Sequence, residues 1–175
     1  MRLLKVIILI VLAVFLNNCQ SDKLMIIAHR GGSKLAPENT IAAFKNAIAI
    51  GVDMIEIDVI LSKDKEVVVI HDDKIDRTTN GSGIVKEMTL SEIQKYSAGS
   101  WFDEKYNDEK IPTLNQVMNL INGRVKLLIE IKGGDEEYPG LENKVVEIDN
   151  FQSKQEAYLI INEAIELYKD KFREK

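Results

Sequence analysis

The sequence predicts an α/β fold in which parallel strands alternate with helices, and three features carry that prediction. Short apolar runs, Met25 to Ala28, Met54 to Ile60 and Val125 to Ile131, read as strands rather than helices because they are brief and bounded by turn residues. Stretches of helical period lie between them and open on capping residues. A content of 45% hydrophobic and 29% charged residues is that of a chain able to fold, and 175 residues suit one domain. Strands alternating with helices imply βαβ units rather than a sandwich.

In chain order, residues 1 to 18 come first and differ from the rest. Arg2 and Lys5 flank an apolar run from Val6 to Leu16, and no acidic residue occurs there. This is the pattern of a secretory signal peptide, too short to span a bilayer core of about 20 residues. Cys19 is the only cysteine, which excludes an intramolecular disulfide. Leu16-Asn17-Asn18-Cys19 resembles a bacterial lipoprotein box, in which the cysteine is lipidated, although Asn18 stands where a small residue is usual. The other reading is a free thiol just past an ordinary signal. Lipidation implies an exported lipoprotein anchored to a membrane of the bacterial cell envelope.

Residues 19 to 24 form a linker, and a domain over 25 to 148 follows. Met25 to Ala28 is expected as a buried strand ending at His29-Arg30-Gly31-Gly32. Asn39 or Thr40 is placed to cap a helix over Ile41 to Ile50, which Gly51 stops. Met54 to Ile60 is the second strand. Val67 to Ile70 is a third, after the charged turn Ser62 to Lys65. Thr89-Leu90-Ser91-Glu92 has a capping-box pattern, and Thr113 to Ile121 is helical behind Pro112. Val125 to Ile131 is the fourth strand. Beyond Gly140 the strand signal ends: Glu142 to Ile148 reads as helix. Residues 153 to 174 read as one long amphipathic helix, with Ile161, Ile165, Tyr168 and Phe172 at helical spacing.

Composition narrows the partners. The net charge is −5 and Trp101 is the only tryptophan, so neither the basic surface nor the aromatic platform of a nucleic-acid binder is present.

The chemistry concentrates at strands and their ends. Alternation puts Glu56 and Asp58 on one face of their strand and Ile55, Ile57 and Val59 on the other. Two carboxylates on a buried face repel unless a positive group sits between them, and a divalent cation suits their oxygens. The competing reading is a strand end where both acids meet water. Glu130 and Lys132 share a face in the same way, which suits either a site for a cation and an anion or an ion pair at a sheet edge. His29 and His71, the chain's only histidines, each follow an apolar strand. The carboxyl ends of strands are where α/β enzymes hold their sites, and imidazole transfers protons near neutral pH. Arg30 offers a planar fork for phosphate or carboxylate.

His29-Arg30-Gly31, Pro37-Glu38-Asn39-Thr40, Glu56-Ile57-Asp58-Val59, His71-Asp72, Arg77-Thr78-Thr79 with Gly81 and Gly83, Pro112-Thr113-Leu114 and Glu130-Ile131-Lys132 occur in order. In that order they resemble the glycerophosphodiester phosphodiesterases. The resemblance covers Met25 to about Lys132 and implies a TIM-barrel fold. It also implies hydrolysis of a small glycerophosphodiester to glycerol 3-phosphate and an alcohol, with Ca²⁺ or Mg²⁺. By resemblance, Glu56, Asp58 and Glu130 would ligate the metal, and His29 and His71 would act as general base and acid. Arg30 and Lys132 would hold the phosphate, Glu38 and Asn39 would shape the first loop, and 77 to 112 would be a small insertion over the site that receives the glycerol end. The glycerol hydroxyl would attack phosphorus first, giving a cyclic intermediate that water opens.

A complete (β/α)₈ barrel takes about 250 residues, so the four readable strands predict a partial TIM barrel of about four βα units. A divergent helical end over 149 to 175 would follow it. Unpaired sheet edges favour association, so a half-barrel that either forms a homodimer or is weakly active is expected. Two other functions remain open: a catalytically silent family member acting as a surface or binding lipoprotein, and a phospholipase acting on intact lipids.

Overall fold

The computed structural model describes residues 24–133, 137–151 and 157–161. The leader, Cys19 and the tail from residue 162 lie outside these residues.

Among the described residues, five strands form one sheet: β1 (Ile27–Ala28), β2 (Met54–Leu61), β3 (Val67–Val69), β4 (Lys126–Ile131) and β5 (Ala157–Ile161). The order along the sheet is β1-β2-β4-β5, all parallel, with β3 paired antiparallel to β2. The helices are α1 (Ile41–Ile50), the one-turn α2 (Leu90–Ile93), α3 (Leu114–Ile121) and α4 (Leu141–Phe151). Successive parallel strands joined through helices are the βαβ units that the sequence predicts.

Local chemistry fixes the helix starts. Thr40, not Asn39, caps α1: its hydroxyl accepts from the Ala43 amide and donates to the Pro37 carbonyl. Thr89 with Glu92 and Thr113 with Gln116 form capping boxes on α2 and α3. The apolar side chains of α1 (Phe44, Ala47) and α3 (Leu114, Val117, Met118, Ile121) join Ile55, Ile57 and Val59 of β2 and Leu127 and Ile129 of β4 in one buried cluster. Burial of that stripe is the main stabilising contribution, about 1.5–3 kcal/mol for each large apolar side chain.

Three expectations change. Met25 to Ala28 was expected as a buried strand, but only Ala28 is buried, while Leu24, Met25, Ile26 and Ile27 are exposed. β1 is the outermost strand of the described sheet, so one side lacks a neighbour. Val67 to Val69 is a strand, but not a parallel one. The connection 62–66 is far shorter than the dozen or so residues a parallel crossover takes, so β3 folds back as a hairpin, with Val59 opposite Val69 and Leu61 opposite Val67.

Most consequential, residues 157–161 form β5, pairing parallel with Leu127–Ile131, where a helix over 153 to 174 was expected. Ala157-Tyr-Leu-Ile-Ile is a short apolar run, and such runs fit strand or helix equally by period alone; the free side of β4 decides it. Ile161 therefore leaves the proposed helical stripe. Residues 165, 168 and 172 lie outside the described part. No helix among the described residues is long and apolar enough to cross a membrane.

Candidate active site

Two neighbouring strands bring the acids together. The parallel register sets Asp58 directly opposite Glu130, with Glu56 two residues earlier on the same face of β2. One carboxylate oxygen from each of the three lies within 4.8 Å of the others. Glu56 is 6% exposed and Asp58 0% exposed, so the reading of a strand end where both acids meet water does not hold. Burial, and then the charge of Asp58, push the Glu56 carboxyl up to about 7.

Two cations answer the negative charge. Lys132 Nζ lies 3.0 Å from Asp58 Oδ1 and hydrogen-bonds Glu130. Burial works against the Lys132 charge, but these two carboxylates hold its pKa above the ordinary value. The Glu130–Lys132 pair is not at a sheet edge, because β5 lies outside β4.

Arg30 sits in a tight turn directly after β1. Its backbone is left-handed, with φ 52°, and its amide donates to Glu56 Oε2 at 2.7 Å. Its guanidinium donates to Glu38 Oε1 at 3.0 Å and lies 3.5 Å from Asp58 Oδ2. Gly31 makes the turn possible: φ is +77°, and a Cβ there would meet the Phe44 ring at 2.8 Å.

Asn39 is also left-handed, at φ 56°. Its side-chain amide donates to Asp58 Oδ2 at 2.9 Å, so it orients a carboxylate instead of capping α1. Glu38 lies between Arg30 and Arg77. Burial would raise its pKa, but the two guanidinium groups outweigh burial and lower it.

The histidines reach the site by different routes. His29 follows β1, and its Nε2 lies 3.9 Å from Glu56 Oε2 with most of the side chain exposed. His71 follows the antiparallel β3, so it does not stand at the carboxyl end of a parallel strand. The hairpin nevertheless returns the chain to the Asp58 level, where the Ile70 amide donates to the Asp58 carbonyl at 3.0 Å. His71 lines a cavity of about 400 Å³ with Asp72, Asp73, Lys132, Gly133 and Glu137. Its Nδ1 is 2.6 Å from Asp72 Oδ1.

Sequence reasoning assigned no role to Asp72 or Arg77. Both lie in the sequence motifs that carry the family resemblance, and the adjacency of Asp72 to His71 is the signal that could have found the first. Arg77 donates to both oxygens of Asp72 and to both of Glu38, linking residues 39 positions apart.

The donor set fits a hard divalent cation. Glu56 Oε1 is buried without a hydrogen-bond donor among the described residues, and the buried Asp58 Oδ1 is met by Lys132 Nζ alone. Such oxygens are costly unless something positive meets them, and carboxylate oxygens are what Ca²⁺ and Mg²⁺ take.

Comparison with known proteins identifies the family of the chain that carries these residues. Residues 29–158 match the glycerophosphoryl diester phosphodiesterase family, a span that reaches into β5. A glycerophosphodiester phosphodiesterase of Caldanaerobacter subterraneus subsp. tengcongensis is 56% identical over 125 residues, which are 71% of this chain and 51% of that protein. Among solved structures, the glycerophosphodiester phosphodiesterase of Agrobacterium tumefaciens str. C58 superposes with a TM-score of 0.72 at 37% identity, covering 78% of this chain and 57% of that one. An Oleispira antarctica phosphodiesterase, solved in complex with the product sn-glycerol-3-phosphate, gives a TM-score of 0.70 at 37% identity and 79% and 56% coverage. The chain spans about half the length of the curated relatives it matches. Its sheet is accordingly part of a TIM barrel. A family match over well more than half of the chain, on the residues that build this acidic site, establishes that the chain belongs to the glycerophosphoryl diester phosphodiesterase family.

Proposed function

We propose that the protein hydrolyses glycerophosphodiesters to glycerol 3-phosphate and an alcohol in a reaction that depends on Ca²⁺ or Mg²⁺. The observation that supports this most is the set of three converging carboxylates, with Glu56 Oε1 buried and unpartnered among the described residues, flanked by Arg30 and Lys132. Glu56, Asp58 and Glu130 would hold the metal. The bound metal would supply positive charge toward the phosphoryl oxygens as negative charge develops there.

The protein's own groups carry the remaining steps. Arg30 and Lys132 bind the phosphate, and Glu38 and Asn39 fix the loop that presents Arg30. One imidazole takes the proton of the substrate's glycerol hydroxyl as its oxygen bonds to phosphorus. The other protonates the departing alcohol oxygen. Water then opens the resulting cyclic phosphodiester with the proton transfers reversed. Residues 77 to 112 receive the glycerol end.

Glycerophosphocholine turnover by the purified chain, with and without a chelator, tests the proposal. We expect turnover that chelation abolishes and added Ca²⁺ or Mg²⁺ restores, the more effective ion naming the metal. A folded, monodisperse sample with no metal-dependent turnover overturns it in favour of a silent surface lipoprotein.

Two further readings belong to the proposal. The basic and apolar leader before Cys19 supports export and acylation, so mass spectrometry of the mature protein should find a lipid on Cys19. The apolar residues beside β1 support a homodimer in which a second copy covers that edge.

A further inference from the structure

We propose that Asp72 and Arg77 form a positioning relay that fixes which nitrogen of His71 meets the reacting atoms and ties that orientation to Arg30. The role in turnover rests on the phosphodiesterase reading above; the orientation of the ring does not.

The relay is built from short, directed contacts. Asp72 Oδ1 stands 2.6 Å from His71 Nδ1. Both oxygens of Asp72 also accept from Arg77, Oδ2 from Nε at 2.6 Å and Oδ1 from Nη2 at 3.0 Å. A carboxylate engaged in this way only accepts, so the proton on the His71–Asp72 contact belongs to Nδ1. The Arg77 hydrogen bond holds the Asp72 carboxyl down to about 2, which keeps it ionised across the working range. With Nδ1 protonated, the neutral ring leaves Nε2 as its proton-accepting atom.

The other side of Arg77 grips Glu38, with Nη1 to Oε2 at 2.9 Å and Nη2 to Oε1 at 2.8 Å. Glu38 Oε1 accepts from Arg30 Nη1 as well. One planar guanidinium thus spans two carboxylates, one orienting a proton-transfer residue and the other a phosphate-binding residue. Among the described residues Arg77 hydrogen-bonds Asp72 and Glu38 and neither imidazole nor Glu56, Asp58 or Glu130, so it acts through its partners. A lysine at this position offers three donors from a single point and cannot engage both carboxylates with two bonds each.

Nuclear magnetic resonance of the full chain labelled with ¹⁵N-histidine tests the relay directly. The chain has two histidines, so two imidazoles contribute, and His71→Asn assigns them. At a pH where both rings are neutral, the His71 ring should be the Nδ1–H tautomer. Asp72→Asn should shift it toward Nε2–H, Arg77→Ala should mix the two forms, and Arg77→Lys should fall between wild type and Arg77→Ala. On glycerophosphocholine, Asp72→Asn should lower kcat about 10³-fold with little change in KM, a loss of the size that a misdirected acid or base produces.

A wild-type His71 ring in the Nε2–H form overturns the relay, as does a tautomer that neither Asp72→Asn nor Arg77→Lys changes. If Asp72→Asn does not fold, the wild-type spectrum and the Arg77→Lys comparison still decide. The tautomer is read without turnover, so an Nδ1–H ring in an inactive protein upholds the relay while refuting the phosphodiesterase reading.

Discussion

Glu56 is a residue at which burial and a neighbouring like charge act together on one carboxyl. Its carboxyl is raised from 4.5 to about 7, so the folded protein keeps a proton that the unfolded chain has already released between those values. The folded state then binds more protons, and its stability falls as pH rises through that window, by on the order of 3 kcal/mol for a shift of this size. Asp72 acts with the opposite sign in a lower window: its depressed pKa contributes stability above the ordinary aspartate value that is lost as pH falls toward about 2. Metal-free protein should therefore show a Tm that declines between about pH 5 and about pH 7, and a divalent cation should reverse the decline by competing with the proton. Glu56→Gln keeps an acceptor for the Arg30 amide while removing the charge. It should raise the metal-free Tm at about pH 8 and blunt the response to cation. Calorimetry across pH checks both, and a flat wild-type profile would contradict the account. The acids and histidines were legible because alternation along a strand is a local rule. The role of Arg77 was not, because its meaning depends on Glu38, 39 positions away.

At the scale of elements, the turn after β1 determines where Arg30 points, and Gly31 determines the turn. Gly31→Ala adds a Cβ that would sit 2.9 Å from Ala43 Cβ as well as against Phe44, in a backbone conformation L-residues avoid. We expect a loss of at least about 2 kcal/mol in denaturant unfolding, together with reduced activity through Arg30. Gly32→Ala is the control. It shares the positive φ but meets nothing within 4 Å, so its cost should be about 1 kcal/mol. Equal effects at the two positions would rule out crowding as the cause. Helix starts were readable from sequence because capping boxes are complete within four residues. The direction of β3 was readable in principle from its short connection. The identity of β5 was not, since a five-residue apolar run becomes a strand only when a neighbouring edge accepts it.

Over the whole molecule, the parallel strands run from an edge at β1 to an edge at β5 among the described residues. Exposed apolar residues beside an unpaired strand favour association. Two copies with β1 of each against β5 of the other would bring eight parallel strands into one ring. Light scattering on the purified chain should then report a dimer, and Ile26→Lys, which places a charge at the exposed edge, should shift it to monomer. A wild-type monomer would remove the second copy from the account. The amino-acid sequence by itself determined the βαβ character, the approximate helix starts and the pairing of acids on strand faces, because each depends on residues within a few positions of one another. Tertiary structure alone decided that Asp58 faces Glu130 across two strands, that β3 carries His71 back toward them and that Arg77 joins two loops. Those relations are distances between segments remote in the chain, and only folding converts them into short contacts.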